Sequence, residues 1–392
     1  MTANAVLNES AYPPEQHLVD PAGERLVKII KSSFAPVERK ADEMAQHFYA
    51  VLFSVAPDTR DLFPVNMQTQ RSRLFRALVH LVQMVDRPQE LTPFLRQLGK
   101  DHRKFGVRDE HFDALGVALR AAVRKFTTVE WTDEVDQAWV QAYEIMARTM
   151  QEGAADDDAP AWWAGHVVDH ERIDWDTAII RVQPEPQMQY VPGQYVSIES
   201  PHRPRLWRYL SPANAPREDG LMEFHVRVVP DGWVSRALVR RTAPGEVWRL
   251  GAPMGNLWVN RNAQRDIVMI AGGTGVAPMC SVIDDLAQRD RQPSVTLFFG
   301  GRNADSLYFL PQLRQWEADH PWLTVVPVTE DGSVEGGKTG TLAEIVPAYG
   351  GAWHNHDVLV AGSPGMIRAT VSRMLVAGTA YDQISYDSFT TE

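Results

Sequence analysis

AGGTGVAPM, residues 271–279, is the stretch that decides the fold of the C-terminal part of this 392-residue chain. It follows the apolar run DIVMIA (266–271) and opens a helix that we expect from Pro278 to about Gln288. Glycines at such a strand-to-helix turn allow backbone N–H groups to approach a pyrophosphate at the helix N-terminus. Taken alone, the motif is also explained by a turn that needs glycine for a positive φ. Its order among the other segments favours nucleotide binding.

The segments after this turn alternate apolar strands with helix-like stretches. Strands are indicated by VTLFFGG (295–301), LTVVPVT (323–329) and DVLVAG (357–362), and a helix passes through Leu313 and Trp316. This alternation predicts a parallel sheet with crossover helices. We therefore predict an α/β nucleotide-binding domain over residues 263–392.

The segments before the turn are short runs rich in valine, isoleucine and aromatic residues. They include AIIRV (178–182), QYVSIE (194–199) and MEFHVRVV (222–229), and proline and glycine punctuate them. Such runs are typical of antiparallel strands joined by turns. We predict an antiparallel β-barrel or sandwich over residues 160–262, and favour the barrel.

The first third of the chain has helical spacing. Apolar residues recur at i, i+3, i+4, i+7, i+8 and i+11 in the run Ala41, Met44, Ala45, Phe48, Tyr49 and Leu52. Similar patterns continue towards the acidic segment EGAADDDAP (152–160), whose composition suits an exposed linker. These patterns predict an all-α domain over residues 25–152 and a multidomain chain.

Composition excludes several function classes. The net charge of −11 and the pI near 5.6 argue against binding to nucleic acid or anionic membranes. Cys280 is the single cysteine, no secretory leader is evident, and no run approaches the ~18–20 apolar residues of a membrane span. We expect a cytoplasmic protein with small-molecule partners and no obligatory protein partner.

Six motifs of the C-terminal part together resemble the ferredoxin-reductase-like flavoprotein family. They are PGQYVSI (192–198), RYLS (208–211), DGWVS (231–235), FFGGR (298–302), AGSPGM (361–366) and SYDSF (385–389). The resemblance implies FAD on the barrel and NADH or NADPH at the glycine-rich turn. It assigns FAD contacts to Tyr195, Arg208, Ser211, Val234 and Ser235, and dinucleotide contacts to Gly273, Thr274, Gly275, Val276, Ala277 and Pro278.

One departure from that family concerns the flavin. The family order is Arg-x-Tyr-Ser, whereas here Leu210 stands at the tyrosine position and Tyr209 precedes it. Because side chains alternate along a strand, we expect Leu210 to pack on the flavin and Tyr209 to point away unless a bulge intervenes. In the family arrangement Phe389 covers the other flavin face. Arg302 either pairs with a 2′-phosphate or lies on the surface, and we favour NADH.

The helical third resembles the globin domain of bacterial flavohaemoglobins. The resemblance lies in HFYAVLFSVAPDTRDLF (47–63), a helix opening near Gln70 with Leu74 one turn later, and LGKDHRKFGV (98–107). It implies haem b with His102 as the iron ligand, Phe63 against the porphyrin, and Tyr49, Gln70 and Leu74 on the distal side. Taken singly, His102, Tyr49 and Gln70 are each better explained by a structural role, but together with Phe63 they favour a haem site.

A second departure lies on the proximal side of the haem. Phe112 replaces the family's tyrosine, and its glutamate partner falls near Asp156. Phenylalanine cannot donate a hydrogen bond, so we expect a broken proximal network.

Flavohaemoglobins as a family are nitric oxide dioxygenases, and this activity is our expectation. A related enzyme with another donor or acceptor, such as a 2-hydroxy acid or a quinone, is the first alternative. A haem-based redox or oxygen sensor is the second. The sequence leaves open the nucleotide preference, the physiological donor and acceptor, the effects of Phe112 and RYLS, and the oligomeric state.

Overall fold

A computed structural model describes residues 21–260, 265–350 and 353–387. Phe389 lies outside these residues. The chain divides into two compact units, one up to Ala159 and one from Pro160 onward.

The first unit is helical, as the hydrophobic spacing predicts. Its helices are α1 (Pro21–Phe34), α2 (Ala41–Val55), α3 (Gln68–Met84), α4 (Pro88–His102), α5 (Asp109–Phe126) and α6 (Asp133–Ala155). Proline at the start of α4 suits a position whose N–H has no intrahelical partner, and Gly106 turns the chain with a φ of 72° after that helix. The core contains the fully buried side chains of Phe34, Met44, Leu52 and Trp139.

The predicted linker is wrong in its first residues. Helix α6 continues through Ala155, because Gly153 packs against the backbone of Arg96 so closely that a Cβ would lie 2.4 Å from its carbonyl oxygen. The close contact between α4 and α6 holds this end of the helix. The irregular connection is therefore shorter than the composition suggests.

The second unit begins with six antiparallel strands and one helix. They are β1 (Trp163–Arg172), β2 (Thr177–Glu185), β3 (Val196–Glu199), β4 (Arg208–Leu210), β5 (Met222–Arg227), α7 (Trp233–Arg241) and β6 (Val247–Leu250). The order β4-β3-β6-β1-β2-β5 nearly closes on itself, since Pro212 after β4 forms a bridge with Phe224 of β5. The expected antiparallel barrel is confirmed.

A parallel sheet with crossover helices follows, as the alternating pattern predicts. The elements are β7 (Asp266–Gly272), α8 (Val276–Ala287), β8 (Val295–Gly301), α9 (Leu310–Asp319), β9 (Leu323–Thr329), β10 (Lys338–Thr339), α10 (Leu342–Gly350), β11 (His356–Ala361), α11 (Pro364–Val376) and β12 (Ile384–Tyr386). The strand order is β10-β9-β8-β7-β11-β12. Strand β7 lies inside the sheet, so the turn after it opens among the carboxyl ends of its neighbours, where ligands bind in such folds.

Candidate functional sites

His102 is the last residue of α4, and its ring is oriented by its own helix. The Nδ1 atom donates a hydrogen bond to the carbonyl oxygen of Leu98 at 2.7 Å. This bond selects the tautomer in which Nε2 carries a lone pair. Burial lowers the pKa of His102, so the imidazole is neutral at physiological pH. A neutral imidazole with an oriented Nδ1–H has the chemistry of an iron ligand.

Four predicted distal and porphyrin-contacting residues come together in the helical core. Tyr49 of α2 is 5% exposed, and the side chain of Gln70, in the first turn of α3, interacts with its hydroxyl and opposes the effect of burial on its pKa. The ring of Phe63 lies 5.2 Å from the ring of Tyr49, and Leu74 packs on the same core. Burial raises the pKa of the Tyr49 hydroxyl, which therefore stays protonated as a hydrogen-bond donor.

The suggested proximal acid is engaged elsewhere. The carboxylate of Asp156 pairs with the guanidinium of Arg96, and Glu152 approaches the same arginine at 3.5 Å. The carbonyl oxygen of Phe112 accepts a hydrogen bond from the hydroxyl of Tyr143. Asp156 is therefore held at the α4–α6 contact and does not serve as a partner for residue 112.

An ion pair beside His102 was not foreseen from the sequence. Lys104 has a side chain only 2% exposed and pairs with Asp101. Burial lowers the pKa of Lys104, and Asp101 opposes that shift. The sequence did contain a signal for this pair, because Asp101 and Lys104 are three residues apart, a spacing at which helical side chains can interact.

The second unit contains a cleft of about 1350 Å³ beside the glycine-rich turn. This volume exceeds that of an ordinary small-ligand pocket, which is ~300–1,000 Å³. Predicted residues on its lining are Tyr209, Leu210, Ser211, Gly273, Thr274, Gly275, Ala277 and Pro278. Val276, at the start of α8, is fully buried and packs in the core beneath the glycine-rich turn, not on the cleft lining.

Two glycines of the turn are required by geometry. Gly273 has a φ of 55°, which side chains other than glycine rarely adopt. A Cβ on Gly275 would lie 2.4 Å from the carbonyl oxygen of Ala361, so only glycine allows α8 to approach the end of β11. Contact between this turn and a nucleotide phosphate stays a prediction.

Four arginines line the cleft: Arg227, Arg236, Arg240 and Arg302. Asp176 holds Arg227 at 3.4 Å, and one guanidinium nitrogen of Arg227 lies 3.6 Å from the position of a Gly273 Cβ. Arg236 and Arg240 stand one turn apart on α7. The cleft positions of Arg227, Arg236 and Arg240 were not predicted from the sequence. The i, i+4 spacing of Arg236 and Arg240 after DGWVS is a signal that could have found two of them. Guanidinium groups suit the pyrophosphates of two dinucleotides.

The RYLS segment differs from expectation. Tyr209 borders the cleft together with Leu210 and is not turned away from it. Its ring stands edge-on to Tyr195 at 5.1 Å. Because β4 has only three residues at the sheet edge, side chains from both of its faces reach the open rim. Contact of either residue with flavin stays a prediction.

The remaining predicted flavin residues have local roles in the protein. Arg208 donates a hydrogen bond to the carbonyl oxygen of Trp207 at 2.8 Å, and Val234 is buried in α7. The Ser235 hydroxyl accepts from the Val229 N–H at 3.1 Å. The Ser235 hydroxyl thereby stabilises the turn at the start of α7, where it also donates to the Gly232 carbonyl oxygen at 3.3 Å.

Asp387 joins the neighbourhood of Tyr195. Its carboxylate accepts a hydrogen bond from the Asn256 N–H at 3.2 Å, and Gly255 separates it from the Tyr195 ring. Burial raises the pKa of Asp387 to about 6. Asp387 lies within the SYDSF segment, but nothing in the sequence distinguished it as a buried carboxyl group.

Three family descriptions match successive parts of the chain. They are Globin over residues 46–150, Oxidoreductase FAD-binding domain over 164–258, and Oxidoreductase NAD-binding domain over 269–372. The expected set of haem, FAD and nicotinamide cofactors is the set that these domains serve. Among the described residues, no helix has the length and apolar character of a membrane span.

Known proteins resemble the chain over nearly its whole length. A flavohemoprotein from Vibrio cholerae is 26% identical, covering 93% of this chain and 96% of the relative. The flavohemoglobin structure from Malassezia yamatoensis has a TM-score of 0.75 at 17% identity, covering 93% and 98%. The FAD/NAD-binding domain of a nitric oxide dioxygenase from Vibrio cholerae has a TM-score of 0.50 at 24% identity, covering 58% and 98%. At these identities, the similarity to the two solved structures shows a shared fold.

Proposed function

Because this chain belongs to the flavohaemoglobin family, we propose that it is a nitric oxide dioxygenase, which uses NAD(P)H and dioxygen to convert nitric oxide to nitrate. The coarser assignment, a flavohaem oxidoreductase, follows from the three matched domains. Bound haem supplies dioxygen activation, and FAD converts a two-electron hydride donor into a source of single electrons. The protein's own residues position these groups and their ligands.

The observation that carries the proposal is the buried Tyr49 hydroxyl beside Gln70 in the helical core, with Phe63 and Leu74 packed on the same core. Dioxygen bound to ferrous iron carries partial negative charge on its outer oxygen. A tyrosine hydroxyl that burial keeps protonated is a suitable donor to that oxygen. Phe63 and Leu74 surround the pair with apolar surface, which excludes water from the site.

In the second unit, the four arginines and the Gly273–Gly275 turn favour nucleotide phosphates. Arg227 is fixed by Asp176 and faces the turn, so it presents its charge without reorganisation. The cleft is bordered by both the barrel residues Tyr209 and Leu210 and the glycine-rich turn. This arrangement suits transfer of hydride from a nicotinamide nucleotide to a flavin.

A second candidate is a related enzyme with another donor or acceptor, such as a 2-hydroxy acid or a quinone. The observation that favours it is the neutral acceptor of the His102 Nδ1–H, the Leu98 carbonyl. A carbonyl strengthens electron donation by the imidazole less than a carboxylate does. With Phe112 and Asp156 both unavailable for this task, oxygen activation depends on the distal pair.

The test begins with cofactor extraction and an absorption spectrum of the purified protein. NADH-dependent and NADPH-dependent nitric oxide consumption is then measured in air, with Tyr49→Phe and His102→Ala as comparisons. We expect rapid consumption that both variants lose. Fast flavin reduction without nitric oxide consumption would overturn the dioxygenase assignment. A screen of 2-hydroxy acids and quinones would then test the second candidate.

A further inference from the structure

A chain of hydrogen bonds joins the cleft to the surface of the barrel. The Tyr308 hydroxyl, in the segment after β8, lies 2.7 Å from His225 Nδ1 on β5. The Nε2 atom of His225 lies 3.2 Å from Oε1 of Glu223, two residues earlier on the same strand. A carboxylate can only accept, so Nε2–H donates to Glu223 and Nδ1 accepts from Tyr308.

The histidine at the centre of this chain is sealed from bulk solvent. Its side chain has no exposed area, although His225 and Tyr308 both border the cleft. The rings of Phe309 and Tyr308 pack on the imidazole at centroid distances of 4.8 and 5.6 Å. Both ring nitrogens are used, and their partners lie on opposite sides of the ring. A proton arriving from the cleft side therefore has a defined exit towards Glu223.

Glu223 is suited to release a proton. Its side chain is 17% exposed, and its second oxygen accepts from Arg181 Nε at 2.8 Å. Burial opposes ionisation, but the hydrogen bonds and charges of His225 and Arg181 hold the pKa of Glu223 below its usual value. Arg181 also pairs with Asp169 and with Glu171, which are half exposed. A protonated Glu223 therefore loses its proton to water at neutral pH.

The other titratable or charged groups around the chain are Cys280 and Asp284 of α8 and Arg227 of β5. Burial raises the pKa values of the Cys280 thiol and the Tyr308 hydroxyl, so both stay protonated. Tyr308 can pass a proton only by donating its own hydrogen to His225 while its oxygen receives another.

We propose that Tyr308, His225 and Glu223 form the path by which the proton from NAD(P)H oxidation leaves the cleft. The inference rests on the proposed function, in which NAD(P)H gives up a hydride and single-electron reoxidation of the reduced acceptor then releases two electrons and one proton. That proton binds the Tyr308 oxygen, the Tyr308 hydrogen moves to His225 Nδ1, and the Nε2 hydrogen moves to Glu223. Water then takes the proton from Glu223.

The test compares proton release with flavin reoxidation in the full-length holoprotein. Stopped-flow mixing with NADH and ferricyanide, in weak buffer with a pH-indicator dye, requires neither nitric oxide nor the haem reaction. In the wild type we expect both signals to share one rate. In Tyr308→Phe and Glu223→Gln, proton release should lag by about 100-fold. Tyr349→Phe, a half-exposed tyrosine on α10, is the matched control.

Two further measurements separate a proton path from a structural contact. In His225→Gly, added imidazole should restore fast proton release. In ¹⁵N-histidine spectra, His225 of the wild type should be the neutral Nε2–H tautomer, and Glu223→Gln should weaken that preference. Normal flavin reduction with wild-type proton release in Tyr308→Phe and Glu223→Gln would overturn the path alone. No flavin reduction by NADH or NADPH in the wild type would overturn the proposed function and the path that rests on it.

Discussion

The hydroxyl of Tyr143 on α6 donates a hydrogen bond to the backbone carbonyl of Phe112 on α5. This bond uses a tyrosine to join two helices at residue 112, whose phenylalanine side chain has no hydroxyl. Asp156, the acid that such a hydroxyl would need, is held by Arg96. The hydrogen bond that orients the ring of His102, the proposed iron ligand, is therefore the one to the Leu98 carbonyl.

Phe112→Tyr tests this view of the proximal side. With Asp156 paired elsewhere, we expect an unchanged iron–histidine stretching frequency in the ferrous protein. The added hydroxyl should lower the free energy of unfolding by about 1–3 kcal/mol if it is left without a partner. Resonance Raman spectra and urea unfolding measure the two effects. A higher iron–histidine stretching frequency together with faster nitric oxide consumption would show that another acid reaches residue 112.

His102→Ala should abolish haem binding, because the ring at the end of α4 is the predicted iron ligand. Haem content is measured by pyridine haemochrome after gel filtration. His80→Ala, an exposed histidine on α3, is the control and should keep full haem. Full haem occupancy and an unchanged histidine-type spectrum in His102→Ala would show that the assignment of the ligand is wrong.

Arg208→Ala should lose FAD, since a guanidinium there is predicted to meet flavin oxygens. FAD retention on gel filtration is the measurement. Arg249→Ala removes a half-exposed barrel arginine that pairs with Glu199, and it should retain FAD. Equal retention in both variants would count against Arg208 and favour Arg236 and Arg240, which line the cleft.

Arg227→Gln should raise the KM for the nicotinamide nucleotide by about 10–100-fold, as expected for a lost charge-assisted hydrogen bond of ~1.5–3 kcal/mol. FAD content should remain that of the wild type, because the guanidinium faces the Gly273 turn. Steady-state reduction of ferricyanide by NADH and NADPH provides the measurement. A parallel loss of FAD would place Arg227 in the flavin site instead.

Asp387→Asn should stabilise the protein at pH 7. The pKa of Asp387 is raised from 3.8 to about 6, so the folded state binds a proton more tightly than the unfolded chain. The free energy of unfolding therefore falls as pH rises from about 4 to about 6, and the full penalty persists above that range. Its upper limit is about 3 kcal/mol. Urea unfolding across this pH range should show a weaker pH dependence in Asp387→Asn, whereas Asp382→Asn, an exposed control, should match the wild type.

The sequence by itself determined the elements and their order, because both depend on local regularities. The helical spacing from Ala41 to Leu52 predicts a buried face, and AGGTGVAPM predicts a strand, a turn and a helix that share one short segment. The positions of His102 and Gly273 follow from these local patterns.

Only the tertiary structure decided which polar side chains meet. Tyr308 and His225 are 83 residues apart, and Asp156 and Arg96 are 60 residues apart. Nothing local distinguishes a tyrosine that borders a cleft from one that packs in a core. The partner of a buried polar group is chosen by the packing of distant elements, since an unsatisfied group costs free energy and several partners satisfy it equally well. Asp156 thus pairs with Arg96 and not with residue 112, and His225 on β5 forms a hydrogen bond with Tyr308 in the segment after β8.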